Sequence, residues 1–360
     1  MAMATKVEGF DVLCSNLELD NFTEMEKSAK TIAKKLNSVY YGEDSDDTSH
    51  LYIVGSVGRK TAIKGSSDLD ILFDLPSDTY KKFDAYESNG QSSLLQEVKG
   101  YLKERYPRTD ISGDGQVVVI EFNHYTVELV PGFKQLDDRF KYPDTHDGGS
   151  WKYTDPLPEQ SACKECDDNS NGNYFNFCHI IRKWKNEQGF KFGGLLIDTL
   201  VYNHFEENDF YSNSTFADYF DILKKLLSYL GEQDKARTYW YAVGSNQQVM
   251  NSDKGAFVDQ ANDATTISAT MRCPSRQRVC SRRCCRCRRI GTTRCRGLHR
   301  SIKRASTPSA KLCANWSVPV TSSAAGSVTS AAACAEPSTR SMSSRTQSQH
   351  RKNLRRLYLR

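Results

Sequence analysis

The chain has 360 residues, of which 38% are hydrophobic, 11% aromatic and 26% charged, a mix that supports a sizeable core and argues against wholesale disorder. No run approaches the roughly 18 apolar residues of a membrane span, and the opening MAMATKVEGFDVLCSNLELD has no basic stretch followed by an apolar one, which disfavours a membrane or secreted protein. The net charge of +5 hides a split: residues 264–360 carry 21 Lys and Arg against one acidic residue, Glu336, whereas residues 1–263 carry 28 basic and 43 acidic residues.

In chain order, Asn21–Tyr40 has helical spacing through Phe22, Met25, Ala29, Ile32, Ala33 and Leu36. After the polar loop GEDSDDTSH, Leu51–Val54 reads as a short buried strand ending in Gly55-Ser56. Leu69–Leu75 is a second strand, closed by Pro76, and Ser92–Tyr106 is a helix that stops before Pro107. Arg108–Ser112 and Val117–Phe122 flank Asp114-Gly115, a type I′ hairpin signal, and Tyr125–Val130 follows the Asn123-His124 turn. These three runs predict an antiparallel meander whose last strand ends at Pro131. A Gly/Pro-rich crossing, Tyr142–Pro158, leads to helices over Tyr174–Glu187, Gly194–Phe205 and Phe216–Leu230. The expected fold is α/β (α+β), a mixed sheet with helices followed by a helical lobe, with a cleft between the two.

Three short pieces carry chemistry. Asp68 and Asp70 are i, i+2 on a strand and so share a face. Neighbouring carboxylates repel and raise each other's pKa unless a cation lies between them, and such hard oxygen ligands suit Mg²⁺ or Mn²⁺. Ahead of them, Gly55 leaves room for a phosphate at the backbone and the Ser56 hydroxyl can bond it; a short helix from Val57 would add free N–H groups. A third carboxylate on a neighbouring strand would complete a two-metal clamp for in-line displacement at phosphorus. Glu121 and Glu128 both sit between apolar residues, so the local pattern does not choose between them.

The order Gly-Ser, Asp-x-Asp, then a later strand carboxylate resembles the polymerase-β-like nucleotidyltransferases. GSVGRKTAIKGSSDLDILFDL and VELVPGF resemble the cGAS/DncV-like nucleotidyltransferases (CD-NTases), relatives of the oligoadenylate synthases. CHIIRKWKNEQG resembles the first helix of that family's second lobe, and YAVGSNQQVMNSDKGAFVDQAND its last block; the likeness spans about residues 20–263. The resemblance implies a polymerase-β-like catalytic lobe over 1–160, a helical lobe over 161–263, and an active site between them. It implies that Gly55 and Ser56 hold the triphosphate, that Asp68 and Asp70 bind two Mg²⁺ or Mn²⁺ ions, and that Glu128, through its VELVP context, binds the ion at the acceptor hydroxyl. Lys183 would reach the distal phosphates. The implied activity joins nucleoside triphosphates, ATP among them, into a cyclic or short linear oligonucleotide with release of pyrophosphate. An antiphage signal in the cytoplasm, a downstream effector and an activating ligand or regulator go with it. Two rival readings are nucleotidyl transfer to an RNA end, protein or small molecule, and an inactive product or a nucleic-acid binder acting through its basic tail.

Other residues carry competing readings. Arg59, Lys60 and Lys64 either add positive field near the loop or are solvated surface charge. Cys163, Cys166, Cys178 and His179 could supply zinc, but adjacent residues 178 and 179 diverge by about 100° on a helix, which favours ordinary thiols. Few cysteines in residues 1–263 suit a reducing cytosol. His124 is expected to be exposed, and Trp184 to be core. Residues 264–360 hold eight of the 12 cysteines and only Trp316 and Tyr358 as aromatics. That composition predicts a disordered tail that either binds nucleic acid or stems from a shifted reading frame, the second reading being favoured by the abrupt change near Ala264.

Overall fold

The computed structural model describes residues 6–42, 48–66 and 68–271. Helix α1 spans Lys6–Leu17 and α2 Phe22–Tyr40; strand β1 (Leu51–Ile53) leads into a single helical turn, α3 (Gly55–Gly58), and then into β2 (Asp68–Asp74). Helices α4 (Ser77–Asp84) and α5 (Gly90–Arg105) precede β3 (Asp110–Asp114), β4 (Val117–Glu121) and β5 (Thr126–Lys134). A second hairpin, β6 (Phe140–Asp144) and β7 (Ser150–Thr154), runs into α6 (Pro156–Asn169), followed by α7 (Asn173–Gln188), α8 (Gly194–Glu207) and α9 (Tyr219–Gly231). The small hairpin β8 (Tyr239–Tyr241) and β9 (Gln248–Met250) precedes α10 (Ala256–Met271).

The main sheet has the order β1-β2-β5-β4-β3, with β6 and β7 attached beyond the end of β5. Among the described strands only β2 and β5 pair in parallel; β3, β4 and β5 form the expected antiparallel meander. Alternation fixes which face is covered. Leu69, Ile71 and Phe73 of β2, with Val127 and Leu129 of β5, are buried against Met25, Ile32 and Leu36 of α2 and Leu94, Val98 and Leu102 of α5. Each such side chain contributes about 1.5–3 kcal/mol on burial, so a one-residue slip of β2 would cost several of these terms at once. The intervening residues Asp68 and Asp70 therefore point to the opposite face.

A separate core is built by the helices: Tyr174, Phe177 and Ile181 of α7, Ile197, Leu200 and Phe205 of α8, and Leu226 and Leu230 of α9. Helix α1 belongs to it through Phe10, Cys14 and Leu17, with the Phe10 ring edge-on to Tyr219 at 5.5 Å. The first segment of the chain thus packs with the helical lobe and not with the sheet it precedes in sequence. The expected boundary at residue 160 falls inside α6, and the one at 264 falls inside α10. Trp184 is core, edge-on to Phe190.

Three local expectations are corrected. Pro131 does not end its strand: β5 continues to Lys134. The β4 ladder stops at Leu129 and the β6 ladder starts at Phe133, so on that edge the missing proline N–H has no partner to lose. The hairpin pairs Asp114 with Val117, which makes Gly115-Gln116 the two-residue loop, with Gly115 at φ +58°. The supposed crossing at Tyr142–Pro158 holds the β6–β7 hairpin and the start of α6, where Pro156 takes the first helical position. The expectations for the tail beyond Met271, disorder, nucleic-acid binding and a shifted frame, lie outside the described residues. No helix among the described residues is long and apolar enough to cross a membrane.

Candidate active site

The uncovered face of the sheet places the candidate carboxylates together. Asp70 pairs directly with Glu128 across the parallel β2–β5 ladder, and Asp68 pairs with Thr126. Glu121 stands opposite Thr126 and Asp110, exposed, with β5 between it and β2. The register therefore sets Glu128, not Glu121, beside Asp70. Burial raises the pKa of Asp70; Arg59 opposes that and Asp68 adds to it, leaving the carboxyl above its ordinary range. Burial also raises Glu128, and the charges of Asp70, Asp68 and Asp114 push it further. For both groups burial is the larger cause and the neighbouring carboxylates the smaller one.

Gly55 follows β1 at φ +62°, and a Cβ built on it would lie 1.8 Å from Asp70 Oδ2. The space a side chain would take is filled by the Asp70 carboxylate. Glycine at this position is thus required by the close approach of the loop to Asp70. The turn closes on itself: the N–H groups of Thr61 and Ala62 donate to Ser56 O at 2.9 and 3.1 Å, and Arg59 N–H donates to Gly55 O at 3.1 Å.

Arg59 is not a surface charge; it adds positive field at Asp70 from within a buried cluster. It is 7% exposed; its Nε donates to Asp198 Oδ2 at 3.0 Å and its Nη1 to Glu159 Oε2 at 3.1 Å. Asp198, on α8 and fully buried, also accepts from Thr61 Oγ1 at 2.9 Å and from Arg182 Nη1 and Nη2 at 2.6 and 2.9 Å. Burial would raise the Asp198 pKa, yet the two guanidinium groups hold it down at about 2. Glu159 shares only Arg59 and a 3.1 Å bond from Ser245, and there burial wins, leaving its carboxyl above the ordinary range. This cluster was missed because its partners are far apart in sequence. Lys64 pairs with Asp20 at 2.8 Å on the surface, and Lys60 offers its carbonyl to His179 Nε2 at 3.2 Å.

Lys183 stands one turn after His179 on α7, half-exposed, with its ammonium 2.6 Å from Glu187 on the same helix. Cys163 and Cys166 are buried in the helical core, and Cys163 Sγ lies 3.2 Å from the Tyr174 hydroxyl. Burial pushes the Cys163 thiol up to about 12 and the His179 imidazole down to about 4, so at neutral pH one stays a thiol and the other a neutral ring. His124 is exposed in its turn. Among the described residues no three His, Cys, Asp or Glu side chains converge closely enough to cage a metal ion by themselves.

Residues 3–167 match the family model of the Second Messenger Oligonucleotide or Dinucleotide Synthetase domain. That match over residues 3–167 is consistent with the cGAS/DncV-like nucleotidyltransferases (CD-NTases). The fold is that of solved CD-NTases. Escherichia coli CdnC in complex with HORMA-deltaN is 15% identical with a TM-score of 0.56, over 76% of this chain and 93% of that one. Rhodothermus marinus CdnE, a c-UMP-AMP synthase solved with Apcpp and Upnpp, is 16% identical with a TM-score of 0.53, over 72% and 95%. Bradyrhizobium diazoefficiens CdnG in complex with GTP is 8% identical with a TM-score of 0.53, over 74% and 92%. No curated protein matches the sequence.

Proposed function

We propose that this nucleotidyltransferase joins nucleoside triphosphates, ATP among them, into a cyclic or short linear oligonucleotide messenger and releases pyrophosphate. The observation that carries the reading is the Asp70–Glu128 pair on adjacent parallel strands, with the Gly55 backbone against Asp70. Asp68 stands two residues before Asp70 on the same face.

The residues fit a divalent metal. The donors are hard carboxylate oxygens, and Asp70 and Glu128 are held above their ordinary range chiefly by burial and then by neighbouring carboxylates, a penalty that a bound cation would relieve. Magnesium characteristically takes one or two carboxylates and completes its shell with water and substrate phosphates, so a three-ligand protein cage is not needed. Asp68 and Asp70 would hold two Mg²⁺ or Mn²⁺ ions, and Glu128 the ion at the acceptor hydroxyl. Such ions polarise the phosphoryl group and ease loss of the acceptor proton. The protein's own share is positional. Ser56 donates its hydroxyl to the triphosphate, Gly55 brings the loop against Asp70, and Lys183 supplies a cation to the distal phosphates on leaving Glu187. The reading extends to an antiphage signal made in the cytoplasm, sensed by a downstream effector and controlled by an activating ligand or regulator. It draws on the family-model match over residues 3–167 and on structurally similar proteins solved with nucleotides.

The test is incubation of the purified full chain with labelled triphosphates and Mg²⁺ or Mn²⁺, without any other acceptor. The expected product is a phosphatase-resistant oligonucleotide. Label that passes only to added RNA or protein, or no transfer with either ion, overturns the reading.

A further inference from the structure

The segment from Gly55 to Ala62 is short, and its own backbone bonds only fold it into a turn; they do not say where the turn stands. Its near end is fixed by the sheet, where Val54 N–H donates to Asp70 O at 2.9 Å, and its far end is fixed from the helical lobe. Arg59 and Thr61 both reach Asp198, whose Oδ2 takes Arg59 Nε at 3.0 Å and Thr61 Oγ1 at 2.9 Å. Between them Lys60 sits at φ +59°, a left-handed conformation that side-chain-bearing residues adopt seldom, and His179 Nε2 donates to its carbonyl at 3.2 Å. Asp198 is itself fixed: Arg182 grips both of its oxygens and donates to Gly194 O at 3.1 Å, tying α7 to α8. Glu159 on α6 holds the other edge of Arg59 and is held by Ser245 from the β8–β9 connection. Buried ion clusters add little net stability over apolar packing of the same volume, but their bonds are directional, and this one fastens the loop at fixed distances.

We infer that Asp198 is a positioning residue for nucleotidyl transfer: by holding Arg59 and Thr61 it sets where Gly55 and Ser56 meet the triphosphate. The inference rests on the reading of Gly55 and Ser56 as the triphosphate-binding turn. Loosening the hub displaces the turn in ground and transition states alike, so the loss falls on Kd and KM and spares kcat.

The experiment measures Kd for a non-hydrolysable ATP analogue with Mg²⁺, together with KM and kcat, on the full chain. Variants are Ser56→Ala, Asp198→Asn, Thr61→Val, Thr61→Ser and the Ser56→Ala/Thr61→Val double. Asp198→Asn is expected to raise Kd about tenfold and Thr61→Val about threefold, the scale of one hydrogen bond lost or weakened. Thr61→Ser, which keeps the hydroxyl and drops the methyl, restores the native Kd; a role in packing alone would give the reverse order for Val and Ser. The double variant is less than multiplicative, since both changes act through one turn. The Thr61 variants keep every charge and decide the matter if Asp198→Asn does not fold. Weakened binding in Ser56→Ala with native Kd in Thr61→Val, or a fully multiplicative double, overturns the inference. Native Kd and turnover in Ser56→Ala overturn the reading of the turn itself.

Discussion

The Gly55 turn meets Asp70 of the sheet and is tied through Arg59 to Asp198 of α8, two carboxylates in opposite electrostatic states. Asp70 and Glu128, on the sheet, are held above their ordinary pKa range chiefly by burial, with Asp68 adding to Asp70 and with Asp70, Asp68 and Asp114 adding to Glu128. Asp198, on α8, is more deeply buried and yet is held down at about 2, because Arg182 and Arg59 surround it. Burial alone does not set the state of a carboxylate; the supply of cations does. Asp198 has two guanidinium groups, whereas Glu159 has Arg59 alone and stays raised, and at Asp70 burial and Asp68 outweigh Arg59.

The sharpest way to break that contrast is Asp70→Asn or Asp68→Asn. Turnover should fall at least ~100-fold, since each change removes a carboxylate from the proposed metal site, a loss of several kcal/mol of transition-state stabilisation. The folded protein should become more stable in metal-free buffer for Asp70→Asn. A raised folded pKa means that ionising Asp70 costs more in the folded than in the unfolded chain. That penalty is absent below the unfolded value of about 3.9 and is complete once pH exceeds the folded value. The gain in Tm should therefore be present at neutral pH and fade in acid. Retained turnover of more than a few per cent, or a lowered Tm at neutral pH, would count against the assignment.

Asp198→Ala should do the reverse. It strands Arg59 and Arg182 without their shared anion, which costs about 3–5 kcal/mol. Here the folded pKa is depressed, so Asp198 contributes stability above the unfolded value of about 3.9 and loses it as pH falls toward about 2. Urea unfolding with an unchanged m-value checks both the size and the acid dependence. A variant as stable as the wild type would mean that the cluster is not closed in solution.

How much of this was legible beforehand follows from how local each cause is. The i, i+2 spacing of Asp68 and Asp70 and the alternation of β2 are contained in seven residues, so the shared carboxylate face could be read directly. Helices α2 and α7 carry their own apolar stripe. Arg59 could not be read, because its burial depends on Asp198, 139 residues further on. Helix α1 has helical spacing at Phe10, Leu13, Cys14 and Leu17, a usable signal that went unused, but its packing partner Tyr219 comes from the other end of the described chain. The β6–β7 hairpin was hidden by Pro143 and by Gly148-Gly149, whose positive φ values turn the chain where a pattern of apolar residues would have been sought. The choice of Glu128 over Glu121 rested on the VELVP resemblance, because the register that sets Glu128 beside Asp70 is contained in no single strand.

That register yields the next test. Glu128→Gln should lower kcat on the order of 100-fold, through loss of a carboxylate paired with Asp70. Glu121→Gln, exposed and with β5 between it and β2, should stay within about twofold, as surface changes do. A dead Glu121 variant with an active Glu128 variant would place the third carboxylate on β4 and undo the picture of charge held between β2 and β5.

The smallest effect concerns Lys183, where the contrast is between a cation already paired and a site short of cations. Its partner Glu187 lies 2.6 Å away and both side chains are 45% exposed. A surface pair of this kind is worth about 0–1 kcal/mol, so a triphosphate that carries several charges can draw the ammonium away at little cost. Lys183→Ala should then raise KM about three- to fivefold and leave kcat unchanged, because a cation on distal phosphates acts on ground and transition states alike. Glu187→Gln should move KM the other way, by less than about fivefold, since it frees the ammonium without touching the site. Opposite shifts in the two variants tie Lys183 to the nucleotide; unchanged KM in both leaves it as half of a helix-surface ion pair.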